Sequence, residues 1–101
     1  MTTYLLLMET IELNQFNSSF RIEGNERTRS LEIMEVVARN GDSTGLNLLV
    51  IDEKDITIYT QPLNPSGETA VGKRFAFYDH LSVKVEAETP DTPFTVEVRF
   101  A

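Results

Sequence analysis

The sequence predicts an all-β protein, a compact two-sheet β-sandwich of the jelly-roll or immunoglobulin-like type. About seven or eight short segments alternate apolar and polar residues, and this period of two is the pattern of half-buried strands. Clusters of glycine, proline, asparagine and aspartate separate the segments, and at most one segment has a helical alternative. Many short alternating strands are typical of two packed sheets that bury every second residue between them.

Length and composition indicate a single domain that covers residues 1–101. Hydrophobic residues make up 41% of the chain and charged residues 25%, which are ordinary values for a globular domain. The absence of cysteine excludes disulfides, thiolate metal sites and cysteine nucleophiles. The formal net charge is -7 and the Lys and Arg residues are scattered along the chain, so we expect no nucleic-acid partner.

The strongest strand signal lies between Leu81 and Phe100, where two alternating segments flank a connection that contains two prolines. Proline lacks a backbone donor and cannot continue a sheet, so the connection predicts a turn. We therefore predict a β-hairpin, with its register chosen by charge. The expected pairs are Ala87 with Phe94, Val85 with Val96, Val83 with Val98, and Lys84 with Glu97.

The N-terminal segment from Tyr4 to Leu13 begins apolar at every position and ends with alternation. We predict a strand that is covered on both faces at its start. Because a two-layer domain covers only one face of an outer strand, the other face needs the domain's own loops or another chain. The hypothetical interface residues are Tyr4, Leu5, Leu6 and Leu7. The run is too short for a signal-peptide core or a bilayer span, so we expect a soluble chain with no membrane partner.

One segment, Ser30 to Arg39, fits two structures. As a helix it would begin at an N-cap serine and end at Asn40-Gly41. As a strand its apolar phase breaks at Met34-Glu35, which a β-bulge would repair. The β-branched residues and the strand-rich surroundings favour the strand.

The other expected elements are shorter. They are a strand at Phe20–Ile22, a hairpin of Leu46–Ile51 and Ile56–Tyr59 around a charged turn, a long surface loop from Gln61 to Gly72, and a strand containing Phe75 and Phe77.

Few residues suggest chemistry. His80 is the only histidine, and a hydrogen-bonded residue at the start of a strand is the simpler interpretation than a catalytic base. The acidic residues Asp52, Glu53 and Asp55, joined by Asp42, offer oxygen ligands to Ca²⁺, but a charged hairpin turn is the favoured interpretation because the spacing differs from that of an EF-hand. We predict no catalytic residues, no metal and no cofactor.

Aromatic residues suggest a second kind of binding site. Phe75 and Phe77 share one face of a predicted strand and are expected in the core. Tyr59 and Tyr78 remain as candidates for an exposed platform on which a sugar ring would stack.

The order of several strands and turns resembles the layout of small β-sandwich proteins of bacteriophage virions, over about the last 70 residues of the sequence. The pieces that carry the resemblance are Arg29-Ser30-Leu31-Glu32-Ile33, the Asn40-Gly41 turn, the crossing from Pro62 to Glu68, and the alternation of Asp79, Leu81, Val83 and Val85 followed by Val96 and Val98. The chain departs from that layout in an extra segment, Thr69 to Lys73, and in the broken phase of Ser30 to Arg39. The resemblance implies a structural or decorating subunit without catalytic residues.

The sequence thus leads to one principal expectation and one alternative. The principal expectation is a non-enzymatic, capsid-associated subunit of a phage virion that acts by protein–protein assembly, as a homo-oligomer or docked on a larger protein shell. The alternative is a small ligand-binding, carbohydrate-binding or inhibitory module that acts through its loops.

Overall fold

A computed structural model describes residues 9–24, 30–39, 45–64, 66–89 and 92–101. These residues form eight strands: β1 (Glu9–Asn14), β2 (Ser19–Glu23), β3 (Ser30–Ala38), β4 (Leu46–Ile51), β5 (Thr57–Leu63), β6 (Glu68–Ala76), β7 (His80–Ala87) and β8 (Thr95–Phe100). Two antiparallel four-stranded sheets result. Sheet A has the order β1-β8-β3-β6 and sheet B the order β2-β7-β4-β5. The predicted all-β, two-sheet β-sandwich is therefore confirmed. In the described part of the chain, no helix has the length and apolar character that a membrane span requires.

The core lies between the two sheets and is made by every second residue of the central strands. In β4, β7 and β8 the buried positions alternate strictly with half-buried or exposed ones, as the sequence predicts. The fully buried large side chains are Leu13, Ile33, Val36, Leu46, Leu48, Val50, Leu81, Val83, Val85, Val96 and Val98. Burial of each aliphatic side chain of this size contributes roughly 1.5–3 kcal/mol to folding.

The segment with two possible structures is strand β3, and its bulge is where the broken phase predicts it. The register of β3 against both neighbours shifts between Ile33 and Glu35. The shift allows Ile33 and Val36, which are three positions apart, to point into the core, and it leaves Met34 37% exposed. In the facing part of β6, Gly72 has a φ of 57°, a left-handed conformation that glycine adopts without strain.

Because of this bulge, substitutions at the adjacent residues Ile33 and Met34 are expected to differ in their effect on stability. Ile33→Ala is expected to lower the free energy of unfolding by about 2–5 kcal/mol, because it leaves a cavity in the core. Met34→Ala, next to it, is expected to change the stability by less than about 0.5 kcal/mol, because its side chain is partly solvated. Urea denaturation of the two variants measures the difference. Equal losses would contradict the bulge.

The predicted terminal hairpin is wrong. Strand β7 pairs with β2 and β4 in sheet B, whereas β8 pairs with β1 and β3 in sheet A. Val85 therefore lies beside Leu48, and Val96 beside Leu13 and Ala38. The connection after β7 crosses from one sheet to the other instead of turning back within one. Alternation specifies which face of a strand is buried, and both arrangements bury the same residues.

The charge pair predicted for that hairpin is not formed, for a related reason. Lys84 lies opposite Ser19 and Leu49 in sheet B, so it is not the cross-strand neighbour of Glu97. Glu97 instead forms ion pairs with Arg99 in its own strand and with Arg39, which follows β3 directly. Two charges that match across a predicted turn do not determine a pairing when other partners are available.

The predicted hairpin around the charged turn is confirmed, because β4 and β5 pair antiparallel. The long loop predicted from Gln61 to Gly72 is wrong, since β5 extends to Leu63 and β6 begins at Glu68. Pro62 does not prevent this because β5 is an edge strand, where the missing backbone donor is tolerated.

Candidate functional site

The sites that the sequence suggests are dispersed in the structure. The hypothetical interface of Tyr4, Leu5, Leu6 and Leu7 lies outside the described residues, as does Asp42, and both remain predictions. His80 has a side chain that is 17% exposed, and its Nδ1 lies 3.2 Å from the Asp79 carboxylate. This is the hydrogen-bonded position at the start of a strand that the sequence favours for His80.

The acidic turn between β4 and β5 uses a carboxylate to hold its own backbone. The Asp52 Oδ1 accepts hydrogen bonds from the backbone N–H groups of Lys54 at 2.9 Å and Ile56 at 3.0 Å. Asp55 has a φ of 62°, a left-handed conformation that aspartate tolerates in turns. Within the described residues, no group of three or more His, Asp or Glu side chains is placed to hold a metal ion.

The two tyrosines do not form a joint platform. Tyr59 is half-buried, its ring packs against Phe75 with centroids 5.4 Å apart, and its hydroxyl donates to Gln61 Oε1. Tyr78 is 78% exposed and lies in the turn between β6 and β7. Tyr59 is therefore a packing residue, and the predicted sugar-stacking platform is not assembled.

The outer face of sheet A carries paired charges. Arg99 on β8 lies 2.5 Å from Glu35 on β3 and 3.8 Å from Glu97. Glu97 also accepts from Arg39 at 2.6 Å, and farther along the face Arg74 lies 3.4 Å from Glu32. Several of these side chains are half-buried by one another. This face therefore satisfies most of its charges internally.

The outer face of sheet B is different in chemistry. Leu49 and Ile51 point outward from the central strand β4, since their neighbours at alternate positions are buried, and both are half-buried. Leu49 lies between Lys84 and Thr60, and Ile51 lies between Ser82 and Thr57. The centre of this face is thus apolar, and the charged residues Arg21, Glu23, Lys84 and Glu86 lie on the strands beside it.

A third surface lies at the end of the sandwich where the β4–β5 and β6–β7 turns meet, and we call it the acidic end. Ile58, Ala76, Phe77 and Tyr78 line a shallow groove there, and Asp52 and Glu53 border it. Ile56 is 55% exposed, Ile58 45% and Tyr78 78%. Most of the large hydrophobic side chains that the described residues expose therefore lie at one end of the molecule, among carboxylates.

Sequence reasoning missed the acidic end, although it contained a local signal. Ile56 and Ile58 occupy alternate positions, and Tyr59 falls in the other set of alternate positions. Apolar residues are therefore expected on both faces of this segment, which belongs to a strand at a sheet edge. Such a strand exposes at least one of them. The groove that Ile58 and Tyr78 both line has no sequence signal, because it depends on two turns that meet only in the folded chain.

Comparison with known proteins finds the fold in other solved structures. No family model matches the chain, and no curated protein sequence is similar to it. The core of the Drosophila protein NLP shares the fold, with a TM-score of 0.58 and 13% identity over 93% of this chain and 97% of that one. The structure of the Drosophila protein is described as giving insight into pentamer formation and histone binding.

This finding corrects the expected role in a virion. The prediction of a capsid-associated phage subunit is wrong, since this structural neighbour is described by pentamer formation and histone binding, which point away from a capsid role. The resemblance to phage proteins depended on the order of generic strands and turns, which different β-sandwich proteins share.

Proposed function

We propose that the protein forms a homo-oligomer and binds basic polypeptides by charge and apolar contact, without catalysis. The observation that carries the proposal is the combination of a net charge of -7 with a fold that matches the Drosophila NLP core along nearly the whole of both chains. Histone binding by that neighbour requires contact with a strongly basic partner. An acidic domain of the same architecture is suited to partners of that charge, because complementary potentials speed association and favour the correct partner.

The subunit contact is proposed to use the outer face of sheet B. Closed rings such as pentamers need two different patches on each subunit, because each subunit meets its neighbours in head-to-tail fashion. Leu49 and Ile51 provide an apolar centre for one patch, whereas the outer face of sheet A already pairs its charges internally. Removing apolar groups from water drives such contacts, and desolvating charges opposes them.

Binding is tested with the wild-type chain and purified core histones. We expect a complex at low salt that weakens steeply as NaCl rises, because screening shortens the Debye length from about 10 Å at 0.1 M salt to about 3 Å at 1 M. A neutral protein of similar size is the control. Isothermal titration that detects no heat or binding with histones at low salt would contradict the proposed function.

Assembly is tested separately by sedimentation of two matched variants. Leu49→Glu places a carboxylate beside Lys84, and Val37→Lys places an ammonium beside Glu97 on the outer face of sheet A, so each new charge has a partner that preserves folding. We expect Leu49→Glu to sediment as a monomer and Val37→Lys to keep the wild-type oligomer. A monomeric wild type, or an oligomeric Leu49→Glu variant, would exclude this contact.

A further inference from the structure

We infer that the acidic end is the docking surface for the basic partner, and that it takes a lysine- and arginine-rich segment that carries an apolar side chain among its cations. This inference rests on the proposed function and specifies which part of the surface performs it. It assigns two tasks to two sets of residues. Ile58 and Tyr78 contact the partner's apolar side chain, and the surrounding carboxylates contact its cations.

The groove at the acidic end exposes large apolar side chains. Ile58 and Tyr78, which are both exposed, line it together with Phe77, which is 5% exposed and belongs to the core. Exposed apolar side chains that lie together and are rimmed by polar residues often mark a contact with a partner. Aromatic residues at the centre of a contact supply a large share of binding energy, and Tyr78 combines a wide apolar ring with a polar hydroxyl.

The charges around the groove indicate a basic partner. Asp52 and Glu53 border the groove, and the Asp79 side chain, next to Tyr78, is 80% exposed. The two turns that form the acidic end contain four carboxylates, those of Asp52, Glu53, Asp55 and Asp79, and one cation, Lys54. Such an excess of negative charge attracts a basic partner and repels an acidic one. A neutral apolar partner gains no electrostatic attraction from it.

The opposite end of the sandwich lacks this combination. Phe16 is 90% exposed there, and it lines a groove that contains Lys84 as well as Glu86 and Glu88. Among the described residues, Phe16 is the one residue lining this groove that belongs to the exposed large hydrophobic residues, and the groove has two carboxylates to one cation, against four to one in the turns of the acidic end. The opposite end is therefore a natural control surface for experiments on the acidic end.

The test uses the full chain and two fluorescein-labelled peptides. One peptide is lysine-rich with central leucines, and the other has serines in place of the leucines.

The apolar variant is Ile58→Thr with Tyr78→Ser, and its control at the opposite end is Phe16→Ser. The charge variant is Glu53→Gln with Asp79→Asn. Its control, Glu12→Gln with Glu68→Gln, removes the same charge from exposed positions outside the acidic end and away from the outer face of sheet B. Asp52 is left unchanged because it holds the turn.

We expect wild type to prefer the leucine peptide, and the apolar variant to lose this preference through about a tenfold weaker Kd for the leucine peptide alone. The charge variant should weaken binding of both peptides and flatten the dependence on salt, while both controls match wild type. Thermal melts verify that every variant is folded. If the acidic-end variants and the controls bind alike, the docking site is wrong although the proposed function stands. If wild type binds neither peptide nor histones, both are wrong.

Discussion

Val96→Asp is expected to leave the chain unfolded at 25 °C. Val96 is fully buried in the central strand of sheet A, where Leu13 and Ala38 are its neighbours on the two adjoining strands. A carboxylate in this position has no cation in the core, and an unpaired buried charge costs several kcal/mol. The whole stability of a domain is only about 5–15 kcal/mol, so the loss is comparable with the total. Circular dichroism should detect the loss of the β spectrum.

The matched variant is Glu97→Gln, one residue along and on the opposite face of the strand. Glu97 lies 2.6 Å from Arg39 and 3.8 Å from Arg99, and the amide retains the shape and one acceptor oxygen. We expect a folded protein that is destabilised by about 1 kcal/mol or less, since the ion pairs are partly exposed. Similar melting of the two variants would mean that Val96 does not face the core.

Gly24→Ala is expected to lower the melting temperature and to weaken binding of basic peptides together. Gly24 donates a 2.7 Å hydrogen bond from its backbone N–H to the Asp79 carbonyl oxygen. A Cβ atom at this residue would overlap the Tyr78 carbonyl oxygen and lie 3.1 Å from that of Asp79. These are backbone atoms, so the β6–β7 turn must move. Such overpacking costs roughly 1–3 kcal/mol, and each kcal/mol lowers the melting temperature of a domain of this size by about 4–8 °C.

Gly67→Ala is the control for this substitution. The nearest atom to its Cβ would be Asn64 Nδ2, at 2.9 Å, which is the end of a flexible side chain that can move aside. We therefore expect a change of less than about 0.5 kcal/mol and unchanged peptide binding. Calorimetric melts and fluorescence titrations of both variants provide the comparison, and equal effects at the two glycines would show that the contact at Gly24 is unimportant.

The sequence predicts buried positions well because burial leaves a periodic signal. Met34 interrupts the alternation of its segment, and the only way to keep Ile33 and Val36 in the core is the bulge that the strand has. Strand neighbours leave no such signal. Val85 and Val96 would be buried whether their strands pair in one sheet or face each other from two, so the sequence pattern is compatible with both arrangements.

Surfaces are harder still to predict. The acidity of the β4–β5 turn is evident in the sequence, and its interpretation as a charged hairpin turn agrees with the hydrogen bonds of Asp52. Its proximity to Tyr78 is a property of the fold, because the two turns are separated by all of β5 and β6. A pattern within one segment carries no information about a contact between two turns.

The place of β8 in sheet A also bears on how the protein is made. This strand is the last of the described strands in the chain, yet it lies between β1 and β3. Strand β1 is therefore joined to the rest of sheet A only through β8. During synthesis, which proceeds from the N-terminus, the ribosome must release residues up to Phe100 before β1 can join its sheet. Until then β1 and β3 expose unpaired edges and their apolar residues, the condition in which a nascent chain depends on chaperones. Ribosome-bound chains that stop short of β8 are therefore expected to be cut readily by protease, and chains that extend beyond it to be resistant.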